Sequence, residues 1–129
     1  MTRPPVQPSA MVPIVKEWLA TRIAHEVRRN LDDDWTPASA PCIVVAGDPD
    51  PASMWPVAVR EKLRITAWAA GEDAARDLCG EAVGQLLTHP VPGVATIRGA
   101  GAIASGRDPK NLGFFATATL TATVRTKPL

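Results

Sequence analysis

Tyrosine is missing from this chain, and phenylalanine, histidine and cysteine occur only twice each in 129 residues. With so few other rings, the four tryptophans carry most of the aromatic surface. The two cysteines, Cys42 and Cys79, show no CxxC or Cys/His spacing. That argues against a zinc site and against a disulfide framework, and both are expected to be buried thiols. The formal net charge is only +1, which gives no global reason to expect binding to nucleic acid or to an anionic membrane. No apolar run approaches the roughly 20 residues that span a bilayer. The N-terminal stretch MTRPPVQPSAMVP is broken by prolines and has no apolar centre, so it is not expected to act as a signal peptide. A soluble cytoplasmic protein is the expectation.

Proline is abundant by contrast, with thirteen residues. They fall mainly at 4–13, 37–56 and 90–92, between elements, as a fixed φ and a missing N–H require. The length suits one domain with a real core. Residues 1–12 read as a flexible arm and 13–129 as a single α+β domain. A first helix is expected from Pro13 to Asn30, with Val15, Trp18, Leu19, Ile23 and Val27 forming an apolar stripe at three- and four-residue spacing. Asp32, Asp33 and Asp34 begin a turn. Cys42 to Gly47 is a short apolar strand, and Gly47 to Pro56 a stiff loop.

Val57 to Ala69 alternates as a second strand, with Val57, Val59, Leu63, Ile65 and Ala67 opposed to Arg60, Lys62, Arg64 and Thr66. Glu61 interrupts the apolar row and is expected where the strand overhangs the core. A second helix is expected from Glu72 to Thr88. Its acids suit the positive end of the helix dipole, and Ala75, Leu78, Cys79, Ala82, Val83, Leu86 and Leu87 form its apolar face. A glycine-weakened third strand follows over Val94 to Ala104, and a loop over Ser105 to Gly113 joins it to the last strand. The last strand is the clearest. From Phe114 to Arg125 the chain reads FFATATLTATVR, with Phe114, Ala116, Ala118, Leu120, Ala122 and Val124 on one face. Phe115, Thr117, Thr119, Thr121 and Thr123 lie on the other. The order α-β-β-α-β-β predicts a two-layer sandwich, with two helices on one face of a largely antiparallel four-stranded sheet.

No set of residues has catalytic spacing, and an enzyme is disfavoured. RGAGAIASG (Arg98 to Gly106) lacks the Lys-Ser/Thr pair and strand-to-helix transition of a phosphate cradle; a bulge or close backbone packing fits it better. His25 and His89 have no nearby partner of ligand or nucleophile type. The three aspartates lack the spacing, glycine and distal glutamate of a calcium loop. No cofactor and no metal are expected. Trp68 and Phe115 fall on the hydroxyl-rich sheet face and Trp55 in a proline loop. Such aromatics suggest a protein interface, with local packing under loops as the alternative.

The order and texture of the chain resemble the tail terminator (tail-completion) proteins of long-tailed bacteriophages over about residues 12–126. The resemblance rests on the helix with the Trp18-Leu19 pair, the apolar strand leading into a proline-rich loop (Cys42 to Pro56), LRITAWAAGEDAARDLCGEAVGQLL (Leu63 to Leu87), and Arg107-Asp108-Pro109 before the threonine-rich strand. It implies a protomer of a ring, typically a hexamer, that caps the head-proximal end of the tail tube and stops its growth. The ring would dock a head-completion or neck protein, and DNA would pass through its lumen without sequence-specific binding. The virion tail would be its location, and the host cytoplasm its place of assembly. On that reading Arg60, Arg64, Trp68, Phe115 and Thr117 make protomer contacts. Asp48, Asp50, Met54, Trp55, Arg107, Asp108 and Lys110 make loop contacts to tube or neck. A head-closure or neck adaptor, and a small dimeric ligand-binding or regulatory domain, are the alternatives.

Overall fold

Met11, Val12, Val15 and Leu19 lie on one stripe at three- and four-residue spacing, and in the computed structural model they bury one side of helix α1 (Met11–Arg22). The structure describes residues 11–49, 58–99 and 101–125. Met11 and Val12 therefore belong to the helix and the core rather than to an arm ending at residue 12; residues 1–10 lie outside the described residues.

Helix α1 also stops eight residues short of the expected Asn30. Thr21 Oγ1 donates to the Trp18 carbonyl at 2.7 Å, a local bond of the kind that competes with helix continuation. The chain then extends as strand β1 (Glu26–Arg28). Ile23 and Val27 are both buried. Their four-residue spacing is satisfied by a turn and a strand, and periodicity alone does not separate that from one more turn of helix.

Strand β2 (Cys42–Pro49) pairs parallel with β1 and antiparallel with β3 (Ala58–Ala69). Strand β6 (Phe114–Arg125) pairs with β3 along twelve positions, from Ala58↔Arg125 to Ala69↔Phe114. The expected third strand is shorter, and another strand begins where it was expected to end. Strand β4 (Thr96–Gly99) and strand β5 (Ala104–Arg107) each pair antiparallel with β6, on Leu120 to Thr123 and on Phe114 to Thr117 respectively. Gly99 at the end of β4 and Gly101 beyond it supply no side chain to hold one continuous strand, as strand-interior glycine predicts. Ile103 instead turns toward the core.

Among the described residues the result is α+β with two helices and a mixed six-stranded sheet, ordered β1-β2-β3-β6-β4 with β5 also on β6. The four-stranded expectation thus missed β1, and it read all of β5 beyond Ala104 as loop. Helix α2 (Glu72–Thr88) has the expected bounds. Ala75, Leu78, Cys79, Ala82 and Leu86 pack on Ile65, Ala67, Ala116, Ala118 and Leu120 in one apolar cluster. Each large buried side chain there contributes about 1.5–3 kcal/mol. Leu87, assigned to the same face, is 44% exposed.

Glu61 does not overhang. It points into the helix-covered face and is only 4% exposed. Gly47 makes this possible, because a Cβ there would collide with the Glu61 carboxylate and lie 2.7 Å from Val12. Among the described residues no helix is long and apolar enough to cross a membrane.

Candidate functional site on the second sheet face

Alternation sends half of each strand's side chains away from the helices. The register brings them into rows. Cys42 lies beside Trp68, Val44 beside Thr66 and Ala46 beside Arg64. Trp68 lies beside Phe115, Thr66 beside Thr117, Lys62 beside Thr121 and Arg60 beside Thr123. Beyond β6, Thr96 joins Thr123 and Arg98 joins Thr121. The residues expected at a protomer contact, Arg60, Arg64, Trp68, Phe115 and Thr117, therefore do share one face. Thr66 and Thr117 join hydroxyls across the two strands at 3.1 Å.

This face is not uniformly open. Trp35, from the turn after the three aspartates, folds over its Phe114 end and is only 7% exposed. Its ring meets Trp68 edge-on, with centroids 5.8 Å apart and planes at 60°, and Trp68 meets Phe115 at 5.3 Å. These are favoured aromatic geometries. The Trp35 Nε1–H donates to the Ala40 carbonyl at 3.0 Å, so the indole's polar atom is satisfied while its ring is covered. Trp68 and Phe115 are accordingly half-buried; they are packed under a loop and are not free aromatic anchors.

Two glycines admit the rings. A Cβ on Gly106 would sit 2.9 Å from Phe115 Cζ, and one on Gly113 would enter the space of the Trp35 ring. Close backbone packing thus explains Gly106, at the end of the glycine-rich stretch. Cys42 is 2% exposed beside this cluster. Its thiol pKa is raised first by burial and then by Glu26, with Arg28 pulling the other way.

The 107–113 loop is ordered by its own polar groups. Asp108 Oδ1 accepts from the Lys110 and Asn111 N–H groups at 2.7 and 3.3 Å. Arg107 Nε donates to the Leu112 carbonyl at 3.2 Å, and its guanidinium lies 5.3 Å from the Phe114 ring centre. Of the loop contacts expected from sequence, Arg107 is the last residue of β5 and with Asp108 shapes the loop that follows, and Lys110 is exposed beside them. Asp48 belongs to β2 opposite Lys62 rather than to a loop. Asp50, Met54 and Trp55 lie outside the described residues.

Beside this loop stands the acidic turn. Asp32 Oδ1 accepts from the Asp34 N–H at 3.1 Å, and Arg28 lies between Glu26 and Asp32 at 3.5 and 3.6 Å. Asp33 and Asp34 are exposed. At the far end of β6, Arg60, Thr96, Arg98, Gly99, Thr121 and Thr123 line a concavity of about 480 Å³.

The sequence reading missed Trp35 and Arg98. The parity of TIRG would have placed Arg98 on this face; nothing local marks Trp35 as a lid. His25 is exposed, and His89 shares a 2.9 Å contact with Thr88 Oγ1 and lies 6.4 Å from the Trp18 ring. Among the described residues no group of three or more His, Cys, Asp or Glu is placed to hold a metal. No protein-family model matches the chain, and no curated protein is significantly similar to it.

Proposed function

We propose that this chain is a structural assembly protein of a long-tailed phage virion. As a tail terminator, its copies close into a ring, typically a hexamer, on the head-proximal end of the tail tube. The ring stops tube growth and offers its other side to a head-completion or neck protein, with DNA crossing its lumen unread. The observation that carries the reading is the lopsided cover of the sheet. Both helices lie on one face. The other bears a long threonine and arginine surface, covered at one end by Trp35. A wide, stiff and polar face suits repeated contact between protein copies better than enclosure of a small molecule. The order and texture shared with tail terminators direct that surface to a ring.

Size-exclusion chromatography with light scattering, followed by electron microscopy with cognate tail tubes, tests the proposal. Rings at one tube end and arrested elongation are expected. A closed dimer, or a monomer that leaves tubes to elongate unchecked, would refute it; a dimer is what a small regulatory domain would give.

A further inference from the structure

Two oppositely charged patches occupy opposite ends of strand β6. Next to its Phe114 end stand Asp33, Asp34 and Asp108, together with Asp32, which faces Arg28, and a single lysine, Lys110, leaving the patch acidic on balance. Seven to nine residues further along β6, Thr121 and Thr123 lie beside Lys62, Arg60, Arg98 and Thr96. At about 3.4 Å per residue that separation is roughly 24–30 Å. The patches therefore cannot satisfy each other within one molecule. Among the described side chains no ion pair joins Arg98 to a carboxylate or Asp33 or Asp34 to a cation, and Lys62 stands opposite Asp48 of β2.

We infer that a second copy of this chain occupies the basic concavity, presenting its acidic lip of Asp33, Asp34 and Asp108. This deepens the assembly reading above and rests on it. It also moves the seam. The sequence centred the contact on Trp68 and Phe115, but Trp35 covers those rings, and the accessible recognition groups are the cations and hydroxyls at the other end. Exposed ammonium and guanidinium groups flanked by threonine hydroxyls give a carboxylate both charge and neutral donors. A nucleic acid would find the same cations. The acidic lip on the same molecule disfavours a polyanion long enough to pass it, and favours a partner carrying both signs. The same complementarity steers copies into register and makes the contact salt-sensitive.

The test uses the full chain and two surface variants, Lys62→Glu with Arg98→Glu and Asp33→Lys with Asp34→Lys. All four side chains are exposed, so circular dichroism melts should match the wild type. Sedimentation should show each variant self-associating at least roughly tenfold more weakly than wild type, because like charges now meet. Combining all four substitutions in one chain should restore much of the association, since the four swapped charges again meet their opposites while Asp108 and Arg60 keep their original signs. Raising salt from 0.05 to 0.5 M should weaken the wild type and the fourfold variant alike.

Unchanged association in either two-site variant would overturn the inference. So would failure of the fourfold variant to recover, or a wild type that stays monomeric at every concentration. Retention of duplex DNA that the Lys62/Arg98 variant loses, with association unaffected, would assign the concavity to nucleic acid. Failure of this inference is distinguishable from failure of the assembly reading. A wild type that caps tubes but ignores the charge swaps sinks only the seam. A charge-swappable closed dimer keeps the seam and sinks the ring.

Discussion

Trp35→Ala is the most direct test of how the second sheet face is built. The indole is 7% exposed, donates one hydrogen bond to Ala40 and stands edge-on to Trp68. Full truncation of a buried tryptophan costs about 3–5 kcal/mol. The lower end is expected, because a loop can settle partly onto Trp68. The predicted loss is about 3 kcal/mol, a large fraction of the roughly 5–15 kcal/mol that holds a domain folded. Trp35→Phe keeps a ring against Trp68 but gives up the indole donor, and should lose about 1 kcal/mol for that bond. Urea unfolding followed by far-UV circular dichroism is the right assay, because the substitution removes a fluorophore. A double-mutant cycle with Trp68→Ala should return a coupling of about 0.5–1.5 kcal/mol. Gly113→Ala probes the same contact from below. Its Cβ would displace the Trp35 ring, costing about 1–3 kcal/mol by overpacking, and most of that cost should disappear in a Trp35→Ala background, where only the 3.1 Å approach to Asn111 Oδ1 remains. A Trp35→Ala loss under about 1 kcal/mol, or a cycle with no coupling, would refute the claim that this ring is the lid over Trp68 and Phe115.

Two further predictions are independent of that cluster. Leu112 holds a left-handed backbone at φ 63° with a side chain 56% exposed. A non-glycine residue there costs about 1–2 kcal/mol, against about 0.4–1 kcal/mol for the added freedom of an unfolded glycine. Leu112→Gly should therefore raise the melting temperature, and a lower one would contradict the loop geometry. Burial holds the Cys79 thiol up from 9.0 to about 11, so the folded state keeps a proton that the unfolded chain releases first. Its contribution is whole below pH 9 and fades as pH climbs from 9 to 11, amounting to roughly 2–3 kcal/mol. Urea midpoints at pH 7.5 and 10.5 should fall further for wild type than for Cys79→Ala. The absence of tyrosine keeps phenol ionisation out of that window, and equal falls in the two proteins would refute the assignment.

The elements legible in the sequence were those whose periodicity is long and unambiguous. Helix α2 and strand β6 have the bounds their patterns predict, and β3 follows its pattern over all of its described residues, because twelve to seventeen consecutive positions vote for one period. The segment around Ile23 and Val27 was misread because a four-residue spacing of two apolar side chains fits a helix and equally a turn followed by a strand. Strand β5 was read mostly as loop because it is four residues long, carries Gly106, and depends on the edge that β6 offers it. Glu61 was placed outside because charge predicts exposure, whereas the room left by Gly47 admits it to the covered face. Shared placement of Arg60, Arg64, Trp68, Phe115 and Thr117 followed from parity alone. The accessibility of Trp68 and Phe115 did not, since Trp35, more than thirty residues upstream of both, decides it, and no local pattern announces that contact.

The position of β6 has a kinetic consequence. It is the last of the described strands in sequence, yet it sits inside the sheet, with β3 on one side and β4 and β5 on the other. Until it inserts, β3 exposes a twelve-residue edge, and the two short strands have no template. Its partners in β3 lie some 45 to 67 residues back along the chain, so closure is a long-range event and sets a slow folding step. During that interval the bare edge of β3 is the segment of this molecule most exposed to mispairing with another nascent copy.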